Sequence, residues 1–236
     1  MTARPVGGPG AGSAGGAPAP ASAPAAGFVS PEVRAEFPGL RLHWVTVAQR
    51  RRPSPPSLVR RLRELADRYR GAGVIAMRTK PVPHAYRAFF RQIGLDPDIR
   101  RIPSEQAAVA RLLQGTFHAV DLITDACLVA LIETGVPVWA LDADAVDDVG
   151  LGIRTATEGD AASGHPEPGP APGSLVVADG SAVHAILFDD PAAESRVGSH
   201  TTRVTLFAVA VDGVPAIHTE EALWCAAELL GSPGAG

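Results

Sequence analysis

Between Pro103 and Asp142 the pattern of apolar and polar positions changes character twice. From Pro103 to Gly115 it has helical spacing. From Val120 to Ile132 apolar residues crowd every side, which describes a helix with almost no solvated face, and Val136–Leu141 then reads as a buried strand. Pro103, Ser104 and Glu105 form a helix start, the Ser hydroxyl placed to cap and the carboxylate suited to the positive end of the dipole. Gly115 ends the first helix; Gly135 and Pro137 end the second.

The flanking segments are legible in the same way. Leu40–Ala48 alternates as a strand, and a proline-stiffened basic loop, Gln49–Pro56, follows. Ser57 is expected to cap a helix to about Arg70 with Leu58, Leu62, Leu65 and Tyr69 on one face. A second helix runs from His84 to Ile93, and the turn Leu95–Asp98 delivers Arg100 and Arg101 to the central stretch. After Asp142 come strands and turns: Leu151–Thr155, a Gly- and Pro-rich surface loop over 158–173, a hairpin around Asp179-Gly180-Ser181, a strand over Thr202–Val211, and a helix capped by Thr219 that stops at Gly231. Helices and strands mix without regular βαβ alternation. The expectation is an α/β fold, a mixed sheet covered by helices.

Composition adds the boundaries. Residues 1–27 are a Gly, Ala, Pro and Ser run that cannot bury enough surface to offset ordering entropy, so a disordered tail is expected; residues 28–231 form one domain, and 232–236 a frayed end. No secretory signal or membrane span is visible, and a cytoplasmic protein is expected. Cys127 and Cys225 sit inside apolar helical patterns and read as small buried hydrophobes. The net charge of −4 conceals a segregation, since Arg34–Arg111 carries 17 Lys plus Arg against 6 Asp plus Glu, whereas Leu112 to the end carries 3 against 18. Either the basic half meets a polyanion such as tRNA, through Arg50, Arg51, Arg52, Arg60, Arg61, Arg100 and Arg101, or the halves neutralise each other across the fold. No DNA partner is expected.

Chemistry-bearing patterns are few. There is no G-x-S-x-G elbow, Walker loop, H-E-x-x-H or C-x-x-C, so serine hydrolase, NTPase and zinc enzyme lack support, and no metal or cofactor is expected. The central helix nevertheless carries Asp121, Thr124 and Asp125 at i, i+3 and i+4. Either they are paired within the scaffold or they line a pocket and orient a ligand or a water. Arg154, between Gly152 and Ala156, would face Asp160 or an anionic ligand.

These residues carry a resemblance. Phe89–Gly115, then Val120-Asp121, Thr124-Asp125, Gly135-Val136-Pro137, Asp142 and Arg154-Thr155-Ala156-Thr157-Glu158-Gly159-Asp160 follow in the order and spacing of the tRNA-editing module of the phenylalanyl-tRNA synthetase β subunit, and more closely of its free-standing relatives. The resemblance covers about Val33 to Val211. It implies a layered sheet-and-helix sandwich and hydrolysis, in trans, of the ester of a mischarged tRNA. Departures stand beside the matches: the family's two Asn residues are Asp121 and Leu128, its Glu is Asp160, and its aromatic-x-Arg-Asp-Ser is Phe188-Asp189-Asp190, so substrate choice does not transfer.

An activated ester needs an oriented water and a polarised carbonyl more than a protein nucleophile. Under this reading Asp125 is the base or water anchor and His118 the second catalytic candidate. Asp121 contacts the α-ammonium, and Thr124, Glu105, Arg111, Arg154 and Asp160 are substrate-pocket candidates. The alternative is a non-catalytic module that binds tRNA or an amino-acid-like ligand.

Overall fold

The computed structural model describes residues 23–69, 71–147, 150–162 and 169–231. Its strands are β1 (Ala25–Ala26), β2 (Phe28–Val29), β3 (Arg41–Ala48), β4 (Val138–Asp142), β5 (Gly152–Thr155), β6 (Leu175–Ala178), β7 (Val183–Ile186) and β8 (Arg203–Ala210). The helices are α1 (Pro31–Glu36), α2 (Pro56–Arg68), α3 (Gly71–Met77), α4 (Pro81–Gln92), α5 (Pro103–Gln114), α6 (Leu122–Thr134), α7 (Glu158–Ala162) and α8 (Ala216–Gly231).

The architecture is mixed α/β with two four-stranded sheets, ordered β1-β3-β8-β4 and β2-β5-β6-β7 among the described residues. In the first sheet β8 is antiparallel to β3 along its whole length and to β4 from Val204 to Ala208. Every β8 residue from Val204 to Ala210 is buried, because helices or the second sheet cover both faces, so its sequence is a continuous apolar run. The second sheet contains one parallel pair, β2 with β5; β5, β6 and β7 are antiparallel neighbours. Helix α8 packs on β3 and β8, α6 packs on β4 and α8, and α2 lies on α6. The larger of two apolar clusters among the described residues joins Leu42, Leu206 and Val209 of the first sheet, Ile153 and Val177 of the second, and Ala126 and Val129 of α6; the smaller holds Ala156, Val176, Ala178 and Val183.

Helix α4 is tied in by Tyr86, whose hydroxyl donates to the Val209 carbonyl at 2.7 Å. Its aromatic face meets Phe188, whose ring lies 5.2 to 5.8 Å from those of Tyr86, Phe89, Phe90 and Trp139. Phe188 has φ of 67°, a left-handed conformation that costs a non-glycine residue about 1–3 kcal/mol.

Several boundaries differ from the sequence expectations. Ala25 and Ala26, assigned to the tail, pair with Trp44 and His43 as β1; residues 1–22 and 232–236 lie outside the described set. Neither Ser57 nor Ser104 caps a helix: α2 and α5 begin at Pro56 and Pro103, where a missing N–H costs nothing, and no side chain bonds the end. Thr219 lies inside the first turn of α8 and donates back to the Ala216 carbonyl at 2.8 Å. The 158–173 loop opens with α7; residues 163–168 lie outside the described set. Helix α3 was not anticipated.

Gly152 is where the second sheet depends on a missing side chain, since a Cβ there would come within 2.3 Å of the Phe28 ring and 2.4 Å of its carbonyl oxygen. Gly152→Val should destabilise the domain by about 1–3 kcal/mol, the usual cost of overpacking, read as a lower urea midpoint with an unchanged slope. An unaltered midpoint would show that β2 is not held at this register.

Candidate functional site

The first turn of α6 concentrates the polar obligations of a helix that is apolar from Ala126 to Ile132. Asp121 is its N-cap: one carboxylate oxygen accepts the N–H groups of Ile123 and Thr124, both at 3.0 Å, and the other accepts Arg51 Nε at 3.0 Å and the Thr124 hydroxyl at 3.1 Å. The basic loop before α2 is fastened here. The Arg52 carbonyl accepts the Leu122 N–H at 2.9 Å, and the Ser54 hydroxyl donates to Asp125 Oδ2 at 2.5 Å.

Beside this junction lies a cleft of about 360 Å³. Arg51, Asp121, Thr124 and Cys127 form one wall; Val138, Trp139 and Ala140 of β4, the edge strand of the first sheet, form the floor; Asp190, Pro191, Arg196 and Val197 form the opposite wall. That second wall is pinned at both ends. Arg196 bridges to Leu141 on the free side of β4, and the Thr201 hydroxyl donates to Asp142 Oδ2 at 2.5 Å. Asp190 is exposed and has no hydrogen-bond or ion-pair partner among the described residues. Cys127 does not supply a nucleophile at neutral pH: burial, aided by Asp121, pushes its thiol up to about 12, and the protonated form is inert.

The family profile described as B3/4 domain matches residues 85–227. The chain belongs to the B3/4 domain family. This domain type occurs in the phenylalanyl-tRNA synthetase β subunit. Among curated proteins no sequence matches the chain. The matched span of this B3/4 domain runs from α4 into α8 and so contains both sides of the cleft except Arg51.

Of the candidates named from sequence, the cleft gathers Asp121, Thr124 and Arg51. Asp125 is fully buried, and besides Ser54 it accepts the Val120 N–H at 3.0 Å, which makes it a clip between the basic loop and α6. His118 is exposed and lines none of the described clefts. Glu105 is buried against Arg87, which bonds both its oxygens at 3.0 and 2.9 Å. Arg111 is half-buried, with Nε unpartnered. Arg154 and Asp160 close on each other through two bonds of 2.7 and 2.8 Å, folding β5 back onto α7. Glu105, Arg111, Arg154 and Asp160 are thus distributed over the scaffold, away from the cleft. Among the described residues no group of three or more His, Cys, Asp and Glu could hold a metal, and no helix is long and apolar enough to cross a membrane.

Nothing in the sequence pattern marks Trp139, Arg196 and Asp190 as cleft-lining residues, although Phe188-Asp189-Asp190 stands out as a departure from the family pattern. Nor does the pattern mark a buried trio in which His184 Nδ1 lies 2.7 Å from Ser195 Oγ and Nε2 lies 2.9 Å from Asp179 Oδ2. The three residues come from three segments with no motif spacing. All are closed to solvent, so the trio fastens the segment carrying Arg196 to β7.

Burial pushes the Asp125 carboxyl above its ordinary range, partly offset by the Ser54 hydroxyl and the Val120 N–H, while the nearby Asp121 charge adds to the rise. A folded-state value above the unfolded one means that the folded chain holds the proton more tightly, so the contribution of Asp125 to stability declines as pH rises from about 4 through the folded value. Asp160, held low by Arg154, acts oppositely. So does Asp179, where bonds from Ser181 and from the N–H groups of Asp147 and Ala182 outweigh burial. Both lose stability as pH falls below about 4, and both cancel in a comparison of variants at residue 125. Asp125→Asn can keep the Val120 bond and donate to Ser54, so its urea midpoint should move in its favour relative to wild type as pH rises from 4 to 7. A constant difference across that range would mean that Asp125 titrates as a surface carboxylate.

Proposed function

We propose that this B3/4 domain is a free-standing aminoacyl-tRNA deacylase, hydrolysing in trans the ester that joins an amino acid to tRNA. One juxtaposition carries the reading: the unpaired carboxylate of Asp190 and the guanidinium groups of Arg51 and Arg196 line a single cleft, beside the loop that presents Arg50 and Arg52. The proposal gives Asp190 the base role that sequence alone assigned to Asp125, whose oxygens are occupied by Ser54 and Val120, and leaves His118 out.

In the proposed reaction Asp190 takes a proton from a water as its oxygen bonds to the ester carbonyl carbon. Arg51 and Arg196 place positive charge where the carbonyl oxygen becomes anionic. The bond from that carbon to the ribose oxygen then breaks, the ribose oxygen takes the proton from Asp190, and the amino acid and the tRNA leave. The proposal sets the α-ammonium beside Asp121 and Thr124 and gives the side chain Trp139 as an apolar floor. Partner recognition is supported by charge. Arg51, Arg61 and Arg100 are committed to Asp121, Glu133 and Asp189, whereas Arg50, Arg52, Arg60 and Arg101 are exposed with no carboxylate partner among the described residues.

A non-catalytic binding module is the second reading, favoured by the Arg51–Asp121 pair, which already neutralises the charge on one wall. Incubating the protein with a panel of labelled aminoacyl-tRNAs and following ester loss against a no-protein control separates the two. Asp190→Asn should cut the deacylation rate by about 10²–10⁴, the range of general base catalysis, with an unchanged melting temperature because Asp190 makes no internal bond. Full activity in that variant would remove Asp190 from the reaction, and tRNA binding without ester loss in wild type would favour the binding module.

Phosphate contacts release counterions, so affinity for tRNA should fall steeply with salt. Replacing Arg50 and Arg52 with Ser, leaving Arg51 on Asp121, should reduce the slope of log affinity against log salt by about 1–2. A slope equal to wild type would place the polyanion elsewhere.

A further inference from the structure

Helices α2 and α8 meet on one side of the protein at Glu133, near the end of α6. Arg61 of α2 donates to both Glu133 oxygens, at 3.1 and 2.6 Å, and the Cys225 thiol of α8 donates to the same carboxylate at 3.6 Å. The outward faces of the two helices therefore continue into one surface.

These two faces carry opposite charge. Helix α2 holds Arg60, Arg61, Arg63 and Arg68 against Glu64 and Asp67, whereas α8 holds Glu220, Glu221 and Glu228 and no lysine or arginine. Their spacing is matched as well. Arg61 and Arg68 stand at i and i+7 on α2, and Glu221 and Glu228 at i and i+7 on α8, so each pair lies on one side of its helix and spans about 10 Å. Between the two glutamates stands Trp224, 37% exposed, and Ile217, on the same side of α8, is 63% exposed. An indole and an isoleucine uncovered on one helix face, rimmed by carboxylates, have the make-up of an interface core and its polar border.

We propose that this surface is where two copies of the chain associate, α2 of each lying across α8 of the other about a twofold axis beside Glu133. A purely basic partner would suit α8 but meet the arginines of α2, and a purely acidic one the reverse. A surface with one sign on each side of a rotation axis is its own complement. Arg61 is prepared for the contact: it is fastened by two bonds to Glu133 and its side chain is still 43% exposed. A guanidinium ordered in this way stacks on the partner's Trp224 at small entropic cost. No residue of the deacylation cleft takes part, nor do Arg50 and Arg52, so the association stands or falls independently of the proposed function.

Sedimentation velocity over a range of protein concentrations tests this. Wild type should pass reversibly from one chain to two and no further, with a dissociation constant that rises with salt. Trp224→Ser should raise that constant by at least about 10-fold, whereas Ile99→Ser, which removes an exposed apolar side chain belonging to neither helix, should leave it within about 2-fold. Glu221→Lys combined with Glu228→Lys should weaken association, as should Arg68→Glu. A mixture of those two chains should associate more tightly than either alone, because the reversed charges then meet their opposites, and that recovery also shows both to be folded. A mixture no tighter than its components, Trp224→Ser associating like wild type, or growth beyond two chains would each overturn the assignment. So would a single chain at every concentration, which would favour a basic partner of another sequence on α8.

Discussion

A largely buried helix must satisfy most of its first unpaired N–H groups within the protein. In α6 that task falls to Asp121, which takes the N–H groups of Ile123 and Thr124, and to the Arg52 carbonyl, which takes that of Leu122. A buried carboxylate needs compensation of its own, and Arg51 supplies it. Satisfying the helix therefore fixes the course of the basic loop. The same contacts that allow α6 to lie between α2, α8 and β4 bring Arg51 to the cleft and turn Arg50 and Arg52 to the surface.

How much of this was legible depended on whether the information was local. Long periodic segments such as Leu40–Ala48, Pro103–Gln114 and Leu122–Thr134 announced themselves, and the mixed α/β class followed from their order. Ala25–Ala26 and Phe28–Val29 did not, because two residues carry no period; their pairing is decided by β3 and β5, far along the chain. The division into two sheets was hidden for that reason. The sequence pattern puts Asp121 on one face of a helix that in fact begins one residue later, a shift that makes this cleft residue a cap as well. Asp125 was correctly singled out as a carboxylate needing a reason, but its reason, Ser54, lies 71 residues away.

The segregated charge illustrates the same division. The reading in which the two halves neutralise each other holds for some of the arginines, because the fold commits them to internal pairing and leaves others alone. Arg51, Arg61 and Arg100 cross from the basic half to acidic partners in the other half, and each pair joins segments that the backbone topology brings together. The two more exposed pairs, Arg61–Glu133 and Arg100–Asp189, contribute little stability, typically under about 1 kcal/mol. Their effect is geometric: they fix neighbouring residues, so that Arg50, Arg52 and Arg101 project from anchored loops.

Phe188 shows why the opposite wall could not be read from the chain. A non-glycine residue in the left-handed region is retained only where surrounding contacts over-determine it, and four aromatic rings from α4 and β4 do so here. That backbone twist aims Asp189 and Asp190 at different clefts; with an extended backbone at residue 188 the direction of both side chains would change. The separation of an occupied carboxylate, Asp189 on Arg100, from a free one, Asp190, thus traces to packing in the core beneath them. The residues that create this division, Tyr86, Phe89, Phe90 and Trp139, themselves carry no charge at neutral pH.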